Sequence, residues 1–188
     1  MFTVLKNSKK GFSLVEILIV IAIIGILSSV ILASLTVARQ KSRDAKRVAE
    51  MWQIKRALDI YFDGAQSYPS TTPVCSPACP RPSDDDVALQ LLNQSDFLPS
   101  TPIPPPGGAD QYYVYRGVYD VAGTPTECDI AAPAGTTCTR YELGVSLERS
   151  DNVVLQSDAD KSVGAFYGAN PSCTGASAGT ELCYDIEM

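Results

Sequence analysis

KKGFSLVEILIVIAIIGILSSVILA, residues 9–33, is an almost unbroken apolar run with one carboxylate, Glu16, near its start. A bilayer core is spanned by about 20 consecutive apolar residues. From Phe12 to Ala38 Glu16 is the only charged residue, so the stretch reads as one membrane-spanning helix. Lys6, Lys9 and Lys10 precede it, and no acid does. A carboxylate at the centre of a spanning helix costs on the order of 2.5–3.5 kcal/mol, and an ionisable residue in such a place is functional by default. A cleavable secretory signal fits poorly, because its apolar core runs to about 7–15 residues and ends at a small-x-small site. Here the run covers 27 residues, and the best cut, after Ala38, lacks the first small residue. A permanent anchor fits the length and leaves Glu16 unexplained.

Outward from this segment, no proline interrupts the chain from Phe12 to Tyr68. Between Arg39 and Asp63 the pattern becomes amphipathic: Val48, Met51, Trp52, Leu58, Tyr61 and Phe62 recur at helical spacing with charges between them. One continuous helix of roughly 50 residues is expected, about 75 Å long at 1.5 Å per residue. Gly64 is the expected left-handed C-cap, and Pro69 bars resumption. Residues 67–84 read as a loop, and 83–94 as a short helix with Ser83 as N-cap and three aspartates in its first turn. Strands are expected at 111–119, 140–148 and 182–187. The fold class is α+β, a long amino-terminal helix packed on a small antiparallel sheet. The divisions are 1–11, 12–38 (membrane or filament core), 39–66 (the amphipathic half of the helix) and 67–188 (globular head).

Composition narrows the function. The chain has 188 residues and a net charge of −6; beyond the leader lysines, 12 Lys and Arg face 21 Asp and Glu. Nucleic-acid binding needs clustered cations, so an acidic head argues against it. Histidine is absent, which removes the commonest general base and metal ligand. No catalytic constellation is visible, and no cofactor is required. All six cysteines lie beyond the apolar run, which reads as disulfides in an oxidising compartment. Six cysteines allow about fifteen pairings. Local bridges are expected: Cys75–Cys79, Cys128–Cys138 and Cys173–Cys183.

Lys9-Lys10-Gly11, then Phe12, then Glu16 as the fifth residue after Gly11, followed by the long apolar run, resembles the type IV prepilin signal. That signal is shared by type IV pilins and type II secretion pseudopilins. The resemblance implies a cut between Gly11 and Phe12 by a membrane prepilin peptidase, with N-methylation of Phe12. It also implies that Glu16 meets the Phe12 amine of a neighbouring subunit, setting register in a homopolymer or mixed filament built on an inner-membrane assembly platform. The subunit would be single-pass in the membrane before assembly, then part of an extracellular or periplasmic filament with its head outside the cytoplasm. ALDIYFDGAQSYPS, and later FLPSTPIPPPGGADQYYVY, resemble the major pseudopilin of type II secretion over residues 11 to about 116. The longer, cysteine-rich head departs from it and favours a surface pilin. Pilus and pseudopilus both stay open.

That pseudopilin binds calcium in a carboxy-terminal loop, and Asp151, Asn152, Asp158 and Asp160 offer oxygen donors here. Their spacing matches no ligand pattern, so a solvated acidic loop is the expectation, with Asp151, Asp158 and Asp160 as the calcium candidates. A competing reading from another class is an anchored extracellular binding protein that never polymerises. Arg39, Lys41, Arg43, Lys46 and Arg47 outnumber the leader lysines, so positive-inside counting alone would put the head in the cytoplasm.

Overall fold

A computed structural model describes residues 11–70, 89, 92–93, 95–100, 102–107, 112–129, 132–164, 166–174 and 179–188. The leader, the Cys75–Cys79 pair and most of the 83–94 helix lie outside the described residues, although Leu89, Leu92 and Asn93 are helical. One helix, α1 (Leu14–Ala65), precedes the strands β1 (Val114–Val121), β2 (Thr124–Glu127), β3 (Arg140–Ser146), β4 (Ser162–Val163), β5 (Phe166–Tyr167) and β6 (Cys183–Glu187). The chain forms two compact units, Met1–Arg39 and Gln40–Met188.

In the first unit the apolar side chains of α1 are exposed: Ile17, Leu18, Ile21 and Ile24 each keep half or more of their surface. Such a surface is stable in lipid or against other apolar helices, not in water.

The second unit has the expected helix-on-sheet core. Strand order is β2-β1-β3-β6, with every neighbour antiparallel, and β4 pairs with β5 in a separate ribbon. Period-two alternation turns Tyr141, Leu143 and Val145 of β3 to one face, where they meet Met51, Ile54 and Leu58 from the amphipathic half of α1. Glu142, Gly144 and Ser146 take the other face. There a small second core forms from Val114, Phe166 and the Cys173–Cys183 disulfide. It closes on Gly144, where a Cβ would lie 2.8 Å from both Cys173 Sγ and the Phe166 ring.

The other described disulfide, Cys128–Cys138, staples the segment between β2 and β3. Each bridge closes a short loop, with sequence separation 10.

Several expectations need correction. Helix α1 does not use Gly64 as its left-handed cap. Gln66 takes that conformation (φ 54°) and donates its backbone N–H to Phe62 O at 2.7 Å. Its side-chain amide also donates to Asp63 O at 3.1 Å. Satisfying the last carbonyls from Gln66 lets the helix run through Gly64 to Ala65. Tyr68 then stacks on Phe62 with ring centroids 4.6 Å apart, and the Tyr115 hydroxyl donates to Pro69 O at 2.8 Å, so the turn is held against the sheet.

Trp52 is 44% exposed and stands outside the buried stripe, because the core row is Met51, Ile54 and Leu58. Strand β1 begins at Val114, three residues later than expected, and continues two residues past Tyr119. Short strands β2, β4 and β5 went unread, since TPTE, SV and FY carry almost no periodic signal.

Candidate functional site

The start of α1 carries the residues on which the sequence reading turned. Ser13 precedes the first helical residue, Leu14, and Glu16 sits three residues after Ser13. Glu16 Oε2 accepts the Ser13 backbone N–H at 2.8 Å, and Ser13 Oγ accepts the Val15 N–H at 3.3 Å. This is a capping box: two amides with no partner inside the helix are satisfied by two side chains. A carboxylate in the first turn also faces the positive end of the helix dipole. The S-x-x-E spacing was present in the sequence, and the capping role was missed because lipid burial dominated the reading of Glu16. Gly11 and Phe12 lie outside the helix, with Phe12 81% exposed. Gly25 is helical. Ser29 Oγ donates back to Ile26 O at 2.7 Å on the same turn of backbone.

Two members of the basic cluster at Arg39–Arg47 are consumed inside the second unit. Arg43 makes a two-pronged bond to Glu148, Nε to Oε1 and Nη2 to Oε2, both at 2.6 Å. Arg47 is fully buried; its Nη1 reaches Asp44 at 2.8 Å and Glu148 at 3.0 Å, and its Nη2 donates to Pro105 O at 2.6 Å. Asp44 in turn accepts the Glu148 backbone N–H at 2.9 Å. Bonding to Arg43, reinforced by Arg47, holds the Glu148 carboxyl below its ordinary value of 4.5. The network clamps the proline loop at Pro105 to α1. It also takes two cations out of the positive-inside count, leaving Arg39, Lys41 and Lys46 against the three leader lysines.

The acidic loop is sorted differently from its sequence. Asp151 pairs with Arg149, and Asn152 caps the 3-10 turn Val153–Gln156 through the Val154 N–H. Asp158 and Asp160 instead join Asp185 of β6, with carboxylate oxygens all within 4.8 Å. The sequence reading missed Asp185, which lies 25 residues beyond Asp160 and is brought there by strand pairing. Backbone amides of Asp160 and Lys161 donate to the Asp185 carboxylate at 3.1 and 3.2 Å. Gly168 makes room for this wrap, since a Cβ there would lie 2.5 Å from Asp185 Oδ2 and from Lys161 O.

Both Asp158 carboxylate oxygens are buried without a hydrogen-bond partner, as is Glu181 Oε1. Burial raises the Asp158 carboxyl and pushes Asp185 up to about 6. Glu181 is pushed up to about 7 by burial, by the hydrogen bond its carboxyl donates to Asp160 and by the neighbouring aspartates. Three carboxylates with oxygens within 4.8 Å of one another, those of Asp158, Asp160 and Asp185, form the kind of donor set that a hard cation prefers.

Residues 6–32 match the family described as the prokaryotic N-terminal methylation motif. Beyond that motif, the chain is 29% identical over 118 residues to the type II secretion system core protein G of Escherichia coli K12, covering 61% of this chain and 80% of that one. It is 31% identical over 103 residues to the protein of the same name from Klebsiella michiganensis (55% and 72% covered). To that of Vibrio cholerae it is 28% identical over 106 residues (56% and 71%). No solved structure gives a significant match. These relatives sit on the secretion branch, the one from which the cysteine-rich head had pointed away. Identity and coverage place this chain in the family of type II secretion system core protein G, the major pseudopilins, whose members are structural subunits and not enzymes.

Proposed function

We propose that the chain is made as a membrane-anchored precursor, is cut between Gly11 and Phe12 by a prepilin peptidase, and is N-methylated on Phe12. It then enters a periplasmic pseudopilus through the apolar half of α1. The observation that carries this reading is the helix start: a methylation motif over residues 6–32 joined to an exposed apolar helix whose first turn holds one carboxylate. Glu16 Oε2 is engaged by the Ser13 amide, which leaves Oε1 to meet the Phe12 amine of a neighbouring subunit. Such a pair gives register more dependably than stability. Passing from lipid into a filament core costs an apolar helix little, so packing and this pair decide assembly. Other pseudopilins and an inner-membrane platform are the expected partners.

The Asp158, Asp160 and Asp185 carboxylates, with Glu181 beside them, would hold a calcium ion, whose charge would offset theirs and tie the loop before β4 to β6. The test of the main reading is the amino-terminal sequence and intact mass of the membrane-extracted chain. A start at Phe12 with one added methyl group supports it. A start at Met1 overturns it in favour of a static anchor.

A further inference from the structure

Beside the first turns of α1 in the second unit lies a cavity that the core does not fill. Lys41, Ala45 and Ala49 line it from the helix, and Arg149, Asp151 and Val153 from the segment after β3; its volume is about 550 Å³. Small-ligand pockets run to roughly 300–1,000 Å³. Val153 keeps 69% of its surface exposed, on a 3-10 turn that Asn152 caps. A single exposed valine needs no explanation, but this one stands among cations. Lys41 is exposed and forms no ion pair among the described residues. Arg149 gives one Nη2 donor to Asp151, and a guanidinium carries several more. Asp44 also lines the cavity, but Arg47 and the Glu148 amide hold it. Lys41 and Arg149 against Asp151 leave the cavity with a positive balance.

Position along α1 says what these cations meet. The helix is unbroken, and Lys41 follows Ala38, the end of the apolar run, by about 4.5 Å of helix rise. Each headgroup layer of a bilayer is about 5–8 Å deep. A chain anchored through Phe12–Ala38 therefore keeps Lys41 at headgroup level. Lys41 acts on the charge of Asp151, so the segment that carries Asp151 and Val153 stands beside it. Anionic lipid draws juxtamembrane cations to itself, and apolar side chains next to such cations add buried area at the acyl boundary. A free phosphate would meet the same cations and gain nothing from Val153.

We propose that this cavity binds the headgroup of an anionic phospholipid, its phosphate on Lys41 and Arg149 and its acyl chain against Val153. The proposal rests on the membrane-anchored reading above and adds a lipid ligand to it. The test reconstitutes the full chain in phosphatidylcholine vesicles doped with phosphatidylglycerol that carries a diazirine near its headgroup. Irradiation followed by peptide mass spectrometry is expected to place lipid adducts within residues 149–154. Lys41→Gln and Arg149→Gln should each lower that yield about fivefold, the weight of one cation at an anionic surface. Both variants should still float with the vesicles as the native chain does. The same diazirine on phosphatidylcholine should label residues 149–154 about fivefold less than on phosphatidylglycerol. Equal labelling by the two lipids, adducts confined to residues 12–38, or native yield in both variants would overturn the site. Loss of labelling in inorganic phosphate, but not in chloride of equal ionic strength, would give the cations to a free anion instead. Labelling that vanishes as chain density in the vesicle rises would give the cavity to a second copy. A native chain that fails to float with the vesicles would sink the membrane-anchored reading itself.

Discussion

Glu16 Oε2 lies 2.8 Å from the Ser13 backbone nitrogen, so the one carboxylate in the apolar segment closes the first turn of the helix on which it stands. The capping role and the proposed charge role coincide in one side chain. A glutamine at the third helical position caps as well as a glutamate but carries no charge. Glu16→Gln should keep the helix start and lose the partner for the Phe12 amine. Filament yield should fall as far in Glu16→Gln as in Glu16→Ala, with both variants still inserted in the membrane. Normal filaments from Glu16→Gln would reduce Glu16 to a cap, worth about 0.5–2 kcal/mol.

Arg47 ties α1 to Glu148 and to the proline loop with no exposed surface of its own. Removing one member of a buried ionic network leaves its partners unpaired, at a cost of about 3–5 kcal/mol. At about 2–4 °C per kcal/mol for a chain of this size, Arg47→Ala should lower Tm of the detergent-solubilised full chain by roughly 10 °C. Arg43→Ala, whose side chain is 34% exposed, should cost less.

The same network sets an acid limit. The Glu148 carboxyl is held below 4.5 in the fold, chiefly by its bonds to Arg43. Its contribution is complete above the unfolded carboxylate range and is lost as pH falls through the lower, folded value. Tm should therefore fall below about pH 4.5 more steeply in the native chain than in Glu148→Gln, which has no such charge to lose. Parallel acid curves would remove Glu148 from the account.

Two glycines of α1 and β3 should respond oppositely to alanine. At Gly64 nothing lies within 4 Å of an added Cβ and the backbone is helical, so alanine should stabilise by about 0.5–1 kcal/mol. At Gly144 the added carbon meets Cys173 Sγ and the Phe166 ring at 2.8 Å, and overpacking of this kind costs about 1–3 kcal/mol. Thermal melts of the two variants decide it: a destabilised Gly64→Ala would return the left-handed cap to Gly64.

Calcium should raise Tm of the EDTA-treated chain, because an ion that binds only the folded state stabilises it by mass action. Asp185→Asn and Asp158→Asn should abolish most of that rise, while Asp151→Asn, at a residue paired with Arg149, should leave it intact. Equal responses in all three variants would remove the cluster from the account. No response in the native chain would return it to a solvated acidic loop.

What the sequence determined by itself was everything governed by local periodicity and short spacing. The apolar run beginning at Phe12, the helical row through Met51 and Leu58, and the alternation around Tyr141 each declare their element within a few residues, because burial repeats with the backbone's own period. The Gly11–Phe12–Glu16 spacing belongs to the same class, since a methylation motif and a helix start are both written in adjacent residues. Tertiary structure decided what depends on residues far apart along the chain. Asp158 and Asp160 find Asp185 only because β6 pairs with β3 beside the loop that wraps it. Arg43 and Arg47 find Glu148 across roughly a hundred residues, and Trp52 is turned outward because Met51 and Ile54 hold the inner row. Pairing and packing fix these contacts, and neither leaves a mark on the residues nearby in sequence.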